Sequence, residues 1–334
     1  MKRLFLLLGL AGLLLAGGCR KDDVIDCPPS PTPTSNLSLE DFTRRNGVPV
    51  QTFSLALNST AQVVQTFTTS SGARVTFPSV GFLLPSGTAA TGTAQVRIRE
   101  IYSVPDMVLS NMPTSTGGSR RLLISGGEFS IQVWQNGTRL RLAPGYGRVL
   151  VASAVPTGAS SGQQKLWQQP TTRLVGDSAG WVPSTPPAIP PGMPPSNDTI
   201  RVVSTPPIYQ TPIPLDSVSW WNIDRLWSLY QTAPVGTVTV QVPVIAAGNN
   251  GLSRVFLRAT GLNGLARLYP TNATQTSWSA SLPTGASMVA VVLQSVNGQL
   301  YFGTQRITTQ SGLVVTPALT AVSEADAVQL IRQL

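Results

Sequence analysis

The feature that most constrains the fold is a succession of short segments in which apolar residues recur at every second position. Thr93–Tyr102 is the clearest: Val96 and Ile98 fall on one side, Arg97 and Arg99 on the other. A period of two is that of an extended strand with one face buried. Val48–Leu57, Gln62–Phe67, Gly72–Pro78 and Phe82–Gly87 are further short extended pieces. Glu128–Val133 places Phe129, Ile131 and Val133 inward, and Asn136-Gly137 is a strong hairpin signal. Thr138–Leu142 then returns with Leu140 and Leu142 inward, and Arg148–Ala152 closes the set. No stretch of this half keeps a helical period over three turns, so the expected class is all-β.

The second half repeats the pattern. Strands are expected at Thr237–Ile245, Ser253–Ala259, Leu265–Tyr269, Thr276–Ala280, Ser287–Ser295 and Leu300–Thr308, with turns at Asn249-Asn250-Gly251 and Asn297-Gly298. Ser323-Glu324-Ala325-Asp326 opens a capped amphipathic helix whose Val328, Ile331 and Leu334 share a side. Between the halves the composition changes, with Pro186-Pro187, Pro190-Pro191 and Pro194-Pro195 in close succession. The span 156–215 reads as a polyproline-rich linker or insertion. The expected architecture is two β-sandwich-like modules, residues 48–155 and 216–334, joined by that span and ended by a short helix.

The N-terminus carries an address. Met1-Lys2-Arg3 is basic, Leu4 to Ala16 is almost wholly apolar, and Gly17-Gly18-Cys19 follows. An apolar run of about 13 residues is too short for a permanent span and suits a signal-peptide core. Small residues before a cysteine resemble the lipobox of bacterial lipoproteins, which implies removal of residues 1–18 and lipid on Cys19. The pattern departs in having Ala16 where a leucine is usual, with Leu15 one step further out. Arg20-Lys21-Asp22-Asp23 resembles the surface-export signal of Bacteroidota lipoproteins, which implies the outer face of the outer membrane. Residues 19–47 then form the lipid attachment and a Pro/Ser/Thr tether, in which Ser38–Phe42 is expected to make a helical turn before the fold begins.

Composition removes several function classes. The 334 residues include no histidine, so serine and cysteine triads and ordinary zinc sites are excluded. Cys19 and Cys27 are the two cysteines, and with Cys19 lipidated no intrachain disulfide framework remains. The formal charge of +9 comes from scattered basic residues without an aromatic-interleaved patch, which argues against nucleic acid as a partner. No cofactor is expected.

Two groups are candidates for chemistry. Glu100, Asp106 and Glu128 sit at strand ends and in a loop, where carboxylates serve as calcium ligands or as a glycosidase pair. Ion-pair and hydrogen-bond anchors to neighbouring loops, with Arg97, Arg99, Arg120 or Arg121 among the partners, are the structural alternative. The second group is the densest in the chain: Trp220, Trp221, Asn222, Asp224, Arg225 and Trp227. Exposed tryptophans there would stack on sugar while the polar trio bonded hydroxyls. Buried, with Trp221 and Ile223 on one face and Trp220, Asn222 and Asp224 on the other, they would be core, and Asp224 and Arg225 would pin loops. Ser125-Gly126-Gly127 reads as a turn with positive φ or a close backbone approach.

Phe77-Pro78, Gly92–Ile98, Glu100-Ile101-Tyr102, Asp106-Met107, Pro113-Thr114 and Ser125-Gly126-Gly127-Glu128 together resemble a β-rich module of Bacteroidota surface proteins distantly related to ZU5 domains. Ser219-Trp220-Trp221-Asn222-Ile223-Asp224-Arg225-Leu226 is similar to the Gly-Trp-Ile-Asn-Cys-Asp-Arg-Phe pattern that follows it. The resemblance implies a two-part extracytoplasmic β architecture and no reaction; ZU5 domains elsewhere are protein-interaction and structural modules. The expected function is therefore a non-enzymatic surface lipoprotein, membrane-bound through Cys19 and contacting a surface or envelope protein. The alternatives are glycan binding through Trp220–Trp227 and a carboxylate-based hydrolase.

Overall fold

Alternating strands separated by turn residues produce the expected class. The computed structural model describes residues 38–334 except 59, 61–62, 144–145, 147, 160–163, 170–179, 185–199, 204–205, 216–219 and 246–251. Cys19, Cys27 and the signal-like segment lie outside the described residues. The chain from Asn36 to Leu334 is one compact unit.

Strands β1 (Gln51–Leu57), β2 (Val64–Thr68), β3 (Arg74–Pro78), β4 (Phe82–Leu83), β5 (Gly92–Ile101) and β6 (Leu123–Gln135) come first. They are followed by β7 (Thr138–Leu142), β8 (Val149–Ala154), β9 (Lys165–Gln168), β10 (Val182–Pro183), β11 (Arg201–Val203), β12 (Ile208–Ile213) and β13 (Trp221–Leu226). These thirteen form the first sandwich. One sheet runs β1-β5-β6-β13-β9-β10, with β7 and β4 attached to it, and the other runs β11-β12-β8-β3-β2. Phe77, Val96, Ile98, Phe129, Ile131 and Val151 fill the space between them.

The second sandwich uses β14 (Val235–Gln241), β15 (Leu252–Ala259), β16 (Leu265–Arg267), β17 (Tyr269–Pro270) and β18 (Ser277–Pro283). Strands β19 (Ser287–Val296), β20 (Gln299–Thr308), β21 (Leu313–Val315) and β22 (Thr320–Val322) complete it. Its sheets run β17-β18-β14-β21 and β16-β15-β19-β20-β22. Asn136-Gly137 and Asn297-Gly298 close the β6–β7 and β19–β20 hairpins with positive φ at both residues, from 48° to 81°, the geometry that matches strand twist.

The module boundaries differ from the composition-based expectation. Residues 156–215 hold β9 to β12, and β12 pairs with β8 along Ile208–Ile213. β13, expected to open the second module, pairs with β6 and β9 inside the first. Backbone bonding decides this: proline density marks the intervening loops, whereas Ile208, Tyr209 and Ile213 alternate like any half-buried strand.

Three helices fill a third core at the junction. α1 (Leu39–Asn46) and α2 (Val104–Leu109) are capped by Ser38 and Ser103, and each cap accepts from the amide three residues on. The third of the three is α4 (Glu324–Arg332), capped by Ser323, whereas α3 (Leu229–Thr232) is a single turn after β13 that packs on the core of the second sandwich. Leu39, Phe42, Met107, Leu109, Ala327 and Ile331 from α1, α2 and α4 pack with Phe256, Val291, Leu293 and Phe302 of the second sandwich. Among the described residues no helix is long and apolar enough to cross a membrane.

Because this core takes side chains from both ends of the chain and from the second sandwich, unfolding should be concerted. Phe42→Ala removes a fully buried ring and should cost about 3–5 kcal/mol. In urea titrations the midpoint should fall, with tryptophan fluorescence and far-ultraviolet circular dichroism still following one transition.

Candidate functional site

The residues at 220–227 converge inward. Trp221 joins the core of the first sandwich, Trp220 the helical junction core, and Trp227 the core of the second sandwich. Their rings are 0%, 9% and 8% exposed, so none offers a face on which a sugar could stack. Trp227 also meets Tyr230 edge-on, with centroids 6.2 Å apart. Alternation along β13 separates the side chains as the sequence indicates, with Trp221 and Ile223 together in one core and Trp220 in another.

Asn222 and Asp224 belong to a buried polar row. The strand registers set Ile101 opposite Glu128, Glu128 opposite Asn222, and Asn222 opposite Trp167. Direct partners share a face, so Glu128 and Asn222 lie between Ile101 and Trp167, both part of the junction core. A hydrogen-bond relay runs through the row. The Gly127 amide donates to Ser125 Oγ (3.1 Å) and Ser125 Oγ donates to Asn222 Oδ1 (2.8 Å). Asn222 Nδ2 then donates to Asp224 Oδ2 (2.5 Å). Asn263, on a loop of the second sandwich, donates to the Ser125 carbonyl at 2.8 Å and to the Tyr102 carbonyl at 3.1 Å.

The local backbone explains Ser125-Gly126-Gly127. It lies within β6, not at a turn, opposite a register shift between Asn222 and Asp224. Gly127 has φ +132°, and a Cβ there would lie 2.9 Å from the Tyr102 ring. At Gly126 a Cβ would lie 2.6 Å from the Tyr209 ring. Real Cβ atoms do not approach so closely, so the glycines admit two tyrosines against the strand.

Glu128 and Asp224 are both fully buried. Neither Glu128 oxygen nor Asp224 Oδ1 has a hydrogen-bond partner, and no cationic side chain pairs with either acid among the described residues. Burial, reinforced by neighbouring Asp224, holds the Glu128 carboxyl well above the usual carboxylate range. Burial likewise raises Asp224, against the pull of the Ser125 hydroxyl and the Gly126 amide. A protonated carboxyl is a donor as well as an acceptor, and the neutral form is the one this environment tolerates.

The carboxylate group expected from sequence is not assembled. Glu100 accepts from Tyr102 Oη (2.8 Å), Ser71 Oγ (2.9 Å) and Gln51 Nε2 (3.2 Å). Asp106 accepts from Ser103 Oγ at 2.7 Å and pairs with Arg332 of α4 at 2.6 Å. Glu128 faces the junction core instead. Among the described residues no three carboxylates or other ligand side chains are placed to hold a metal, so the calcium trio does not form. A glycosidase needs two acids lining an open cleft, and the acids that do come together, Glu128 and Asp224, are sealed.

The anticipated partners of the arginines also change. Arg97 lies 5.1 Å over Trp134, Arg99 5.5 Å over Trp220, Arg120 3.7 Å over Tyr269 and Arg121 5.6 Å over Tyr230. These are cation–π contacts rather than ion pairs with Glu100, Asp106 or Glu128, while the anchoring expected of the acids is met at Glu100 by hydrogen bonds and at Asp106 by Ser103 and Arg332. Asp224 and Arg225 do not pin loops by charge-assisted bonds: Asp224 Oδ2 is met by a neutral amide, and Arg225 Nε has no partner. Sequence reasoning missed helix α2 and the pairing of Glu128 with Asp224, since the two acids lie on strands far apart in the chain.

No protein-family model matches the chain, and no curated protein is significantly similar to it.

The raised carboxyl pair fixes the sign of a pH effect. Groups whose folded pKa exceeds the unfolded value contribute stability fully present below the ordinary carboxylate range, and that contribution is lost as pH rises through the folded value. Stability should therefore fall as pH rises from the ordinary carboxylate range toward the raised folded values. Glu128→Gln, neutral at every pH, should flatten the decline and raise stability by about 1–3 kcal/mol at its upper end. Urea midpoints measured from mildly acidic to alkaline pH for the two proteins check this.

Proposed function

We propose that this chain is a non-enzymatic, lipid-anchored protein of the outer membrane surface with a structural or protein-binding role. The observation that carries the reading is the N-terminal sequence, in which a short apolar run closes on Gly17-Gly18-Cys19 and Arg20-Lys21-Asp22-Asp23 follows. The fold supports the role. Residue types that would do chemistry or grip a sugar at 220–227 are committed to three interior cores. Of the acids, Glu100 and Asp106 fix neighbouring elements, while Glu128 and Asp224 are sealed. Strands β1, β2 and β22, which end their sheets, and the connecting loops offer contact surface to another protein. The resemblance to ZU5-related modules fits an interaction role.

Lipidation and location have one direct test. In the native host, metabolic labelling with a clickable palmitate analogue should mark the protein, and Cys19→Ala should abolish the label and leave the precursor uncleaved. Protease added to intact cells should degrade the wild-type protein. An unlabelled wild-type protein, or one protected until the cells are broken, would remove the surface assignment. Crosslinking on intact cells then identifies the neighbouring protein.

A further inference from the structure

The face of the β1-β5-β6-β13 sheet that carries Glu128 is covered at one end and open at the other. Ile101, Glu128, Asn222 and Trp167 lie under the junction core. The next row, Arg99 opposite Ser130, is its margin, where Arg99 stacks on Trp220 and donates through Nε to the Val48 carbonyl at 3.0 Å. Beyond it the registers align Thr52, Arg97 and Gln132, then Ser54, Gln95, Trp134 and Arg139. Thr52, Ser54, Gln95 and Arg97 are exposed, and Trp134 and Arg139 are half-buried. Arg141 projects from β7 on the same face as Arg139 by alternation, and it is exposed.

The polar groups on this open half have a common orientation. Gln95 Oε1 accepts from Arg97 Nε at 2.7 Å, and Gln132 Oε1 accepts from Trp134 Nε1 at 3.0 Å. Both glutamines thus engage their carbonyl ends within the sheet, leaving amide N–H groups as what they offer outward. Trp134 holds the Arg97 guanidinium over its ring at 5.1 Å, which limits the side-chain freedom that a long cation loses on binding. No carboxylate of the described residues forms an ion pair with Arg97 or Arg141. The result is a flat, cationic, donor-rich surface extending about 10 Å across β5, β6 and β7.

We propose that this open half of the sheet, centred on Arg97, Trp134 and Arg141, binds an acidic polysaccharide. Guanidinium forks match carboxylate and sulfate oxygens, and amide donors match hydroxyl and ring oxygens. An extended saccharide suits a flat face whose exposed positions between Thr52 and Arg141 are polar or cationic, whereas a peptide partner would need apolar pockets for its side chains. Polysaccharide is chosen over other polyanions on the strength of the surface location proposed above. Binding in solution nevertheless tests the face whether or not Cys19 carries lipid, so the two readings fail separately.

The test is affinity electrophoresis and isothermal titration calorimetry of the full chain, in detergent, against polygalacturonate, chondroitin sulfate, neutral dextran and single-stranded DNA. Salt-sensitive binding to both acidic polysaccharides, and none to dextran, is expected. Arg97→Ala combined with Arg141→Ala should weaken it about tenfold or more, with thermal unfolding unchanged. Arg74→Ala, an exposed cation on β3 of the opposite sheet, should leave it intact. The proposal is overturned by no binding at low salt, by an equal loss in Arg74→Ala, or by DNA binding as tight as that of polygalacturonate.

Discussion

Strand β13 pairs with β6 on one side and β9 on the other, and the rest of the architecture depends on that seam. Within eight residues the chain sends Trp220, Trp221 and Trp227 into three separate cores. β6 does the same from the other side, with Phe129 in the first core, Leu123 in the junction core, and Leu122, just before the strand, and Ile124 in the core of the second sandwich. Each large aromatic side chain contributes on the order of several kcal/mol by burial and packing. Concentrating them where the chain passes from one sandwich to the next ties the two into a single unit. Asn263, donating from the second sandwich to the backbone of β6 and to the Tyr102 carbonyl, closes the same seam with hydrogen bonds.

The handling of charge follows from the scarcity of charged groups, which make up 11% of the chain. Four arginines rest on aromatic rings, and Glu100 is met by a phenol, a hydroxyl and an amide. Ion pairs are used chiefly to fasten helices: Arg45 with Glu324 at 3.0 Å, Arg332 with Asp106 at 2.6 Å, and Arg254 with Glu40 at 3.6 Å. Exposed pairs of this kind contribute little, so the helices are held mainly by their apolar faces. Arg254, almost wholly buried, is the exception, and it also donates to Thr43 of α1.

Much of the strand order was legible because period-two alternation is local. β5, β7 and β8 fall where Val96, Leu140 and Leu142, and Val149 and Val151 indicate, and Asn136-Gly137 and Asn297-Gly298 turn between their strands, while the turn expected at Asn249-Asn250-Gly251 lies outside the described residues. Helix caps were equally local: Ser38 and Ser323 mark α1 and α4. What could not be read depends on partners distant in sequence. Proline-rich composition concealed β12, since pairing with β8 is a non-local fact. Asp106 looked like a loop acid because Val104–Leu109 is too short to show a helical period. The 220–227 segment carried the correct alternation for burial, yet which core received each tryptophan required the fold. Ser125-Gly126-Gly127 announced a close approach, but its neighbours come from elsewhere in the chain, Tyr102 from just past β5 and Tyr209 from β12.

Helices α1 and α4 meet at opposite ends of the chain: Asn46 donates to Glu324 across 278 positions, and Arg332 reaches Asp106 across 226. A core assembled from such distant segments imposes an order of events. The junction cannot close until α4 has left the ribosome, and contacts of this separation form slowly. Until then the apolar side of α1 and the covered end of the β5–β6–β13 face remain open. A chain built this way leaves apolar surface uncovered until α4 has been made, and such exposed surface is what chaperones recognise.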